Sequence, residues 1–279
     1  MKALVLSGGG SKGAYEAGVV KYLMDFEGRR YDLFAGVSVG ALNAAFLAQY
    51  GDVSPLSVHS QQYAAEDLVN LWKSLDNSNV FKNWFPPYVS ALWRPSVFDS
   101  SPLQKLVRSI LKKPGPNKKL RVGATGLDTG TFRVFDETYP DVATAVLASS
   151  AFPGMLLPVE IEGQLYTDGG VCNNTPLRQA ISAGATEIDV ILCSPLDDPS
   201  TSFQAKTTAV NVGFRAISLL TDQVQRDSLV DCMVNRTDLK IRLIKPSAVL
   251  TSNPLDFSPS LIASMLKQGY ADAEKGLSK

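Results

Sequence analysis

Gly36-Val37-Ser38-Val39-Gly40 lies between two runs of opposite character. Tyr31 to Val37 is short, apolar-rich and of strand length, whereas Ala41 to Gln49 (A-L-N-A-A-F-L-A-Q) joins strong helix formers to apolar residues at helical spacing. Ser38 is therefore predicted on a strand-to-helix corner. That is the setting of a nucleophile elbow, in which a tight turn pushes the serine hydroxyl outward and glycines two residues before and after let neighbouring backbone pack close. The helix that starts there points unpaired N–H groups and its positive dipole end at any anion formed beside the serine. A lone G-x-S-x-G is common in turns; the strand before it and the helix after it give it chemical meaning.

Length and composition narrow the setting. The 279 residues suffice for one large α/β domain or two small ones without disulfide staples. Lys+Arg and Asp+Glu both number 27, so no net field favours nucleic acid or an acidic membrane surface. Cys172, Cys193 and Cys232 have no metal-ligand spacing and cannot all pair, as suits a reducing compartment. Met1 to Ser7 carries one lysine and an apolar run too short for a signal peptide or a membrane span, and reads as a buried first strand. The expectation is a soluble, cytoplasmic protein.

After that strand come Ser7-Gly8-Gly9-Gly10-Ser11-Lys12-Gly13 and a helix from Ala14 to Phe26. Gly8, Gly10 and Gly13 fit G-x-G-x-x-G, which raises a dinucleotide site. Asp32, 32 − 10 = 22 positions past Gly10, has the spacing of a ribose-binding acid but precedes the second strand's apolar core, where such an acid should follow it. A P-loop fails because Lys12 is followed by Gly13. What remains is either an anion site, built from backbone N–H groups with Lys12 among them, or a tight turn whose glycines only permit packing.

Leu68, Leu71, Trp72 and Leu75 mark an amphipathic helix. Phe81, Trp84, Phe85, Pro86, Pro87, Tyr88, Leu92, Trp93 and Phe98 form an aromatic, proline-rich insertion around residues 81–100 without periodicity. It is an irregular excursion packed on the core, a cap over an apolar site or a surface that docks on lipid, with Lys82 and Arg94 near it to meet phosphate. A helix follows from Ser101 to Leu111, and Lys112 to Lys119 is expected to be a basic surface loop. Leu120–Leu127 and Thr131–Phe135 flank a hairpin turn, Asp141–Ala148 is helical, and a second hairpin, Leu156–Ile161 with Gln164–Thr167, delivers Asp168-Gly169-Gly170. Pro176–Ala183 (helix), Glu187–Cys193 (strand), Val210–Asn235 (helix), Leu239–Ile244 (strand) and Ser260–Glu274 (helix) complete the chain. This alternation predicts one three-layer α/β/α domain over residues 1–279, with a mostly parallel sheet and two inserted hairpins. The Gly8–Gly13 loop, Ser38 and Asp168 then all fall at carboxyl ends of strands, where such sheets bind ligands.

A serine nucleophile needs a base and oxyanion donors. His59, the only histidine, lies 59 − 38 = 21 residues past Ser38, beyond a helix that carries the chain roughly 16–18 Å away at ~1.5 Å per residue. It is expected at the surface, leaving the proton to a carboxylate. Asp168 is the best placed, ending a strand before two glycines, although a carboxylate of ordinary pKa, about 3.9, is a poor base unless a dry pocket raises it. Taken alone, D-G-G is a turn. Cys172, four residues beyond Asp168, is expected close enough for a bulky thiol adduct to crowd the site, and Cys193, in a strand, to be inert.

G-G-G-S-K-G at Gly8–Gly13, G-V-S-V-G at Gly36–Gly40, S-S-A-F-P-G-M-L-L-P at Ser149–Pro158 and D-G-G at Asp168–Gly170, in that order, resemble the patatin-like phospholipases. The motifs span roughly the first two thirds of the chain, and no catalytic position departs from the family pattern. The resemblance implies a patatin-like fold and a Ser-Asp dyad, with Ser38 as nucleophile and Asp168 as its partner. It implies an oxyanion hole from Gly8, Gly9 and Gly10, joined by the N–H of Val39, and hydrolysis of phospholipid, lysophospholipid or related acyl esters without metal or other cofactor. Lys12 stands where the family has Arg or Lys, to serve the oxyanion or a substrate phosphate. The partner so implied is a lipid ester; the aromatic segment adds the expectation of peripheral contact with a membrane surface, and the charge balance that of no nucleic acid. An acyltransferase using the same serine, or a nucleotide-binding module without hydrolysis, are the alternatives.

Overall fold

In the first strand, Ala3 and Val5 face one way and Leu4 and Leu6 the other, and all four are fully buried. A strand covered on both faces belongs inside a sheet with helices on each side. The computed structural model describes residues 1–51, 61–84, 93–196, 209–234 and 238–277. His59 and most of the aromatic stretch, residues 85–92, lie outside the described residues.

The strands are β1 (Lys2–Leu6), β2 (Leu33–Val37), β3 (Lys82–Asn83), β4 (Phe98–Asp99), β5 (Lys119–Gly126), β6 (Phe132–Asp136), β7 (Val159–Ile161), β8 (Gln164–Asp168), β9 (Glu187–Ile191) and β10 (Lys240–Ile244). The main sheet runs β10-β9-β1-β2-β5-β8-β7, with β6 also paired to β5, while β3 and β4 form a separate ribbon. From β10 to β5 every pairing is parallel. The helices are α1 (Gly13–Lys21, continued by a π-helical turn Tyr22–Phe26), α2 (Val39–Ala48), α3 (Gln61–Lys73), α4 (Asn77–Val80), α5 (Ser101–Ile110), α6 (Val142–Ser149), α7 (Leu177–Ser182), α8 (Ala209–Val234) and α9 (Pro259–Leu277). One core joins Leu4, Leu6, Phe34 and Val122 to α1, α2, α3, α6 and α9. The other joins Ala3, Val5, Leu33 and Ala35 to α7 and the end of α8. These are the three layers of the α/β/α sandwich, and the predicted elements are nearly all present.

Two details depart from the sequence reading. Lys118 belongs to no surface loop: it is buried, and its ammonium donates to the Tyr31 carbonyl at 2.9 Å, while Lys119 opens β5. The strand that ends in Asp168 also runs against the parallel set. β5 pairs with β2 through residues 119–123, with β6 through 121–125 and with β8 through 124–126. The β6 pairing overlaps both others, and a strand has two edges, so β2 and β8 share the remaining edge. They run in opposite directions and finish head to head, Val37 opposite Gly123 and Asp168 opposite Ala124. This junction, not a common strand direction, brings Ser38 and Asp168 to one place.

Candidate active site

Ser38 precedes α2 with φ 56° and ψ −128°, a conformation that costs a residue with a Cβ on the order of 1–3 kcal/mol. The strain is held by packing. A Cβ at Gly36 would collide with the Gly40 carbonyl, and one at Gly40 with the Leu6 carbonyl, so only glycines let strand, elbow and helix close up. Hydrogen bonds from the end of α6 complete the grip. The Ser38 N–H donates to Ser149 Oγ at 2.9 Å, the Ser149 hydroxyl donates to the Gly123 carbonyl at 2.6 Å, and the Ser150 hydroxyl donates to the Ser38 carbonyl at 3.2 Å. The motif at Ser149-Ser150 was visible in the sequence; its duty as the elbow's brace was not.

Asp168 is buried, its N–H bonded to the Ala151 carbonyl at 2.9 Å and its Oδ1 accepting the Gly170 N–H at 2.8 Å. Burial raises its pKa to about 6, against the opposing pull of the Ser38 hydroxyl and the Gly170 N–H. Oδ2, however, is buried with no donor in hydrogen-bonding geometry among the described residues. The serine is thus near enough to favour the charged carboxylate but not locked to it, and the open geometry at Oδ2 describes the resting pair better. Catalytic hydrogen bonds often tighten only when substrate arrives.

The glycine loop crosses above this pair. Gly10 has φ +60° beneath the Pro254 carbonyl, where a side chain would be strained and would collide. Ser11 donates its N–H to that same carbonyl at 2.8 Å. No acceptor among the described residues takes the N–H of Gly9, Gly10 or Val39. Gly8 corrects the expected set: its N–H is committed to the Asn174 carbonyl at 3.0 Å, so it shapes the loop and donates nothing to the cavity. Asn174, which D-G-G did not single out, also bonds Gln225 of α8 at 3.0 Å. Lys12 faces the cavity and donates to Ser194 Oγ at 3.1 Å.

Gly8, Gly9, Gly10, Lys12, Ser38, Val39, Asp168 and Asn174 line one cavity, whose space counted out to its open mouth is about 1080 Å³. The lining is largely apolar, with Leu42, Trp72, Leu75, Val107, Leu156 and Phe257 among it, and it also carries the polar groups of Lys12, Asn174, Ser194, Thr221 and Asp222. An ester that joins an apolar chain to a polar leaving group fits such a lining. Among the described residues, no group of three or more His, Cys, Asp or Glu is placed to hold a metal ion.

Other sequence expectations fall elsewhere. The Cys172 thiol points to the β5–β6 turn, donating to the Gly130 carbonyl at 3.3 Å, and is not part of the cavity wall. Cys193 is buried just past β9 behind Gly9, and burial pushes its thiol pKa well up. Lys82 pairs with Asp99 at 3.2 Å, and Arg94 lies over the Trp84 ring at 4.3 Å. Phe81 packs on Phe98 with ring centres 4.5 Å apart, whereas Trp93 is exposed.

Comparison with known proteins gives a consistent picture. The family model described as patatin-like phospholipase matches residues 4–181. Lysophospholipase NTE1 of Cryptococcus neoformans is 23% identical over 212 residues, covering 71% of this chain and 11% of that protein. Patatin-like phospholipase domain-containing protein 7 of Rattus norvegicus is 27% identical over 192 residues, covering 68% of this chain and 13% of that protein. The chain therefore matches only a small part of these relatives' lengths. It matches 64% of the uncharacterised protein YqhO of Bacillus subtilis, at 28% identity over 193 residues and 62% of this chain. The crystal structure of VipD from Legionella pneumophila superposes with a TM-score of 0.50 at 20% identity, covering 99% of this chain and 66% of that one, a likeness of fold. No described helix is long and apolar enough to cross a membrane.

Proposed function

This chain belongs to the patatin-like phospholipase family, and on that premise we propose that it hydrolyses acyl esters of phospholipids, lysophospholipids or related lipids through an acyl-Ser38 intermediate, with Asp168 as the base. The observation that carries the reading is the head-to-head junction of β2 and β8, which leaves a buried carboxylate oxygen without a donor among the described residues beside a strained serine. Burial answers the objection that aspartate is too weak a base, because it raises Asp168 to about 6, much closer to neutral pH.

In the first half-reaction Ser38 Oγ bonds to the ester carbonyl carbon as its proton passes to Asp168 Oδ2. The carbonyl π electrons move onto oxygen, which the N–H groups of Gly9, Gly10 and Val39 receive at the positive end of α2. The intermediate collapses, the ester C–O bond breaks, and the leaving alkoxide takes the proton from Asp168. In the second half-reaction water attacks the acyl carbon while Asp168 takes its proton; collapse returns that proton to Ser38 and frees the fatty acid. The apolar lining residues seat the acyl chain. Lys12 lines the same cavity, and its charge serves the phosphate of the leaving group.

The direct test combines a fluorophosphonate probe with a panel of phospholipids, lysophospholipids and monoacylglycerols. The probe is expected to label Ser38, and Ser38→Ala is expected to lose both labelling and hydrolysis. Labelling that persists in Ser38→Ala would refute the assignment.

A further inference from the structure

α8 has an unusual outer face. Its second half is tied to the body: Leu229 and Cys232 are buried in the second core, Gln225 bonds Asn174 at 3.0 Å, and Asp231 pairs with Arg178. Its first half reaches over the cavity, where Ile217, Ser218, Thr221 and Asp222 form part of the lining. At ~100° per residue those four lie on one side of the helix, and Val212, Ala216, Leu219 and Leu220 lie on the opposite side. The opposite side faces water: Val212 is 49% exposed, Leu219 42% and Leu220 67%. From Gln223 onward the outer face becomes mostly polar, with Gln223, Asp227 and Asp231 exposed.

A helix on a protein surface normally turns a polar face to water. The first half of α8 turns an apolar face outward over more than two turns, and Arg215 is its single charged residue between Ala209 and Thr221. Val171, which lines the cavity, is a further exposed apolar side chain, at 42%. A lone exposed leucine means nothing, but a contiguous apolar face beside a site is a mark of an interaction surface.

We propose that this outer face of α8, centred on Leu219 and Leu220, is where the protein docks on a lipid aggregate. The inference rests on the reading that the cavity takes acyl esters of lipids. The same helix lines the cavity with one face and presents the apolar face with the other, so docking through α8 brings a lipid surface within one helix diameter, ~10 Å, of the cavity. Burying apolar side chains among acyl chains supplies the attraction, and Arg215 on the flank suits headgroup phosphates.

The test separates docking from chemistry. Ser38→Ala protein, which cannot consume the lipid, is mixed with phosphatidylcholine–phosphatidylglycerol vesicles and floated on a density gradient. It is expected to float, and adding Leu219→Asp with Leu220→Asp is expected to cut vesicle binding at least tenfold. With Ser38 intact, the double variant is expected to lose about the same factor against lysophospholipid embedded in vesicles, while kcat/KM for a short water-soluble ester stays unchanged. Equal flotation of the double variant overturns the proposal. So does a parallel loss of soluble-ester activity in a folded double variant, which would place these residues in the reaction itself. Sedimentation at several concentrations covers the other occupant: a dimer abolished by the double variant, with vesicle binding untouched, assigns the face to a second copy. If no ester is hydrolysed by any form, the functional reading fails, yet flotation still judges the surface.

Discussion

The Asn43 amide donates to the Glu16 carboxyl at 2.9 Å in a site sealed from solvent. The same amide donates to the Gly13 carbonyl at 3.1 Å, and its oxygen accepts from the Trp72 indole at 2.9 Å. α1, which follows the glycine loop, is thereby joined to α2, which follows Ser38. The loop and the elbow are positioned by one buried strut.

Burial raises the Glu16 pKa to about 8, opposed by Asn43, Cys193 and the Ser7 backbone, so the group is mostly neutral at pH 7. A carboxyl whose folded pKa exceeds its unfolded value contributes its stability in full below the unfolded value, about 4.5, and loses it as pH rises to about 8. Glu16→Gln keeps a neutral side chain of the same shape. Its Tm is expected to decline less steeply than that of the parent between pH 5 and 8, as calorimetry would show; equal slopes would contradict the buried neutral acid.

Asp168 predicts a second pH effect. With a pKa of about 6, kcat/KM for a soluble ester is expected to fall about tenfold per pH unit below pH 6. An ordinary histidine, pKa ~6.5, would give a similar limb. The limb is therefore expected to persist in His59→Ala, and its loss there would restore a histidine mechanism. Asp168 also costs stability as pH rises from about 3.8 to about 6, on the order of 3 kcal/mol at neutral pH. Asp168→Asn is expected to be nearly inactive, yet to melt several degrees higher than the parent at pH 7 and no higher at pH 4.

Ser149 braces the elbow through two buried hydrogen bonds, from the Ser38 N–H and to the Gly123 carbonyl. Ser149→Ala leaves both partners unsatisfied, at a cost of roughly 1–3 kcal/mol each before relaxation. Denaturant unfolding is expected to show a loss in that range. Turnover is expected to fall at least tenfold with little change in KM, because the nucleophile moves while the cavity stays. Unchanged kcat in the folded variant would show that the elbow holds its own shape.

Gly9 has φ 176°, extended backbone open to any residue, so its requirement is purely one of space. A Cβ there would lie 2.5 Å from Cys193 Cβ. Gly9→Ala is expected to displace the loop and cost about 10²–10³ in kcat, the scale of a lost oxyanion donor. Adding Cys193→Gly removes the obstacle and is expected to recover at least tenfold. No recovery in the double variant would mean that the added methyl harms something other than the fit against Cys193.

Local patterns in the sequence determined the strand–glycine loop–helix at the N-terminus, the strand-to-helix corner at Ser38, the hairpin before Asp168 and the alternation that builds three layers. Each rests on periodicity or turn chemistry within a dozen residues, which the chain carries by itself. Tertiary structure alone decided which edge of β5 receives β8, and with it the meeting of Ser38 and Asp168. It also decided that Gly8 gives its N–H to Asn174, that Lys118 is buried under Tyr31, that Cys172 turns to Gly130 and that Ser149 holds the elbow. The apolar outer face of α8 belongs to the same class. Spacing marks Val210–Asn235 only as a helix, and the packing of its other face over the cavity is what leaves Leu219 and Leu220 facing water. Sequence spacing records which residues share a face, whereas partners far apart in the chain are chosen by sheet register and burial.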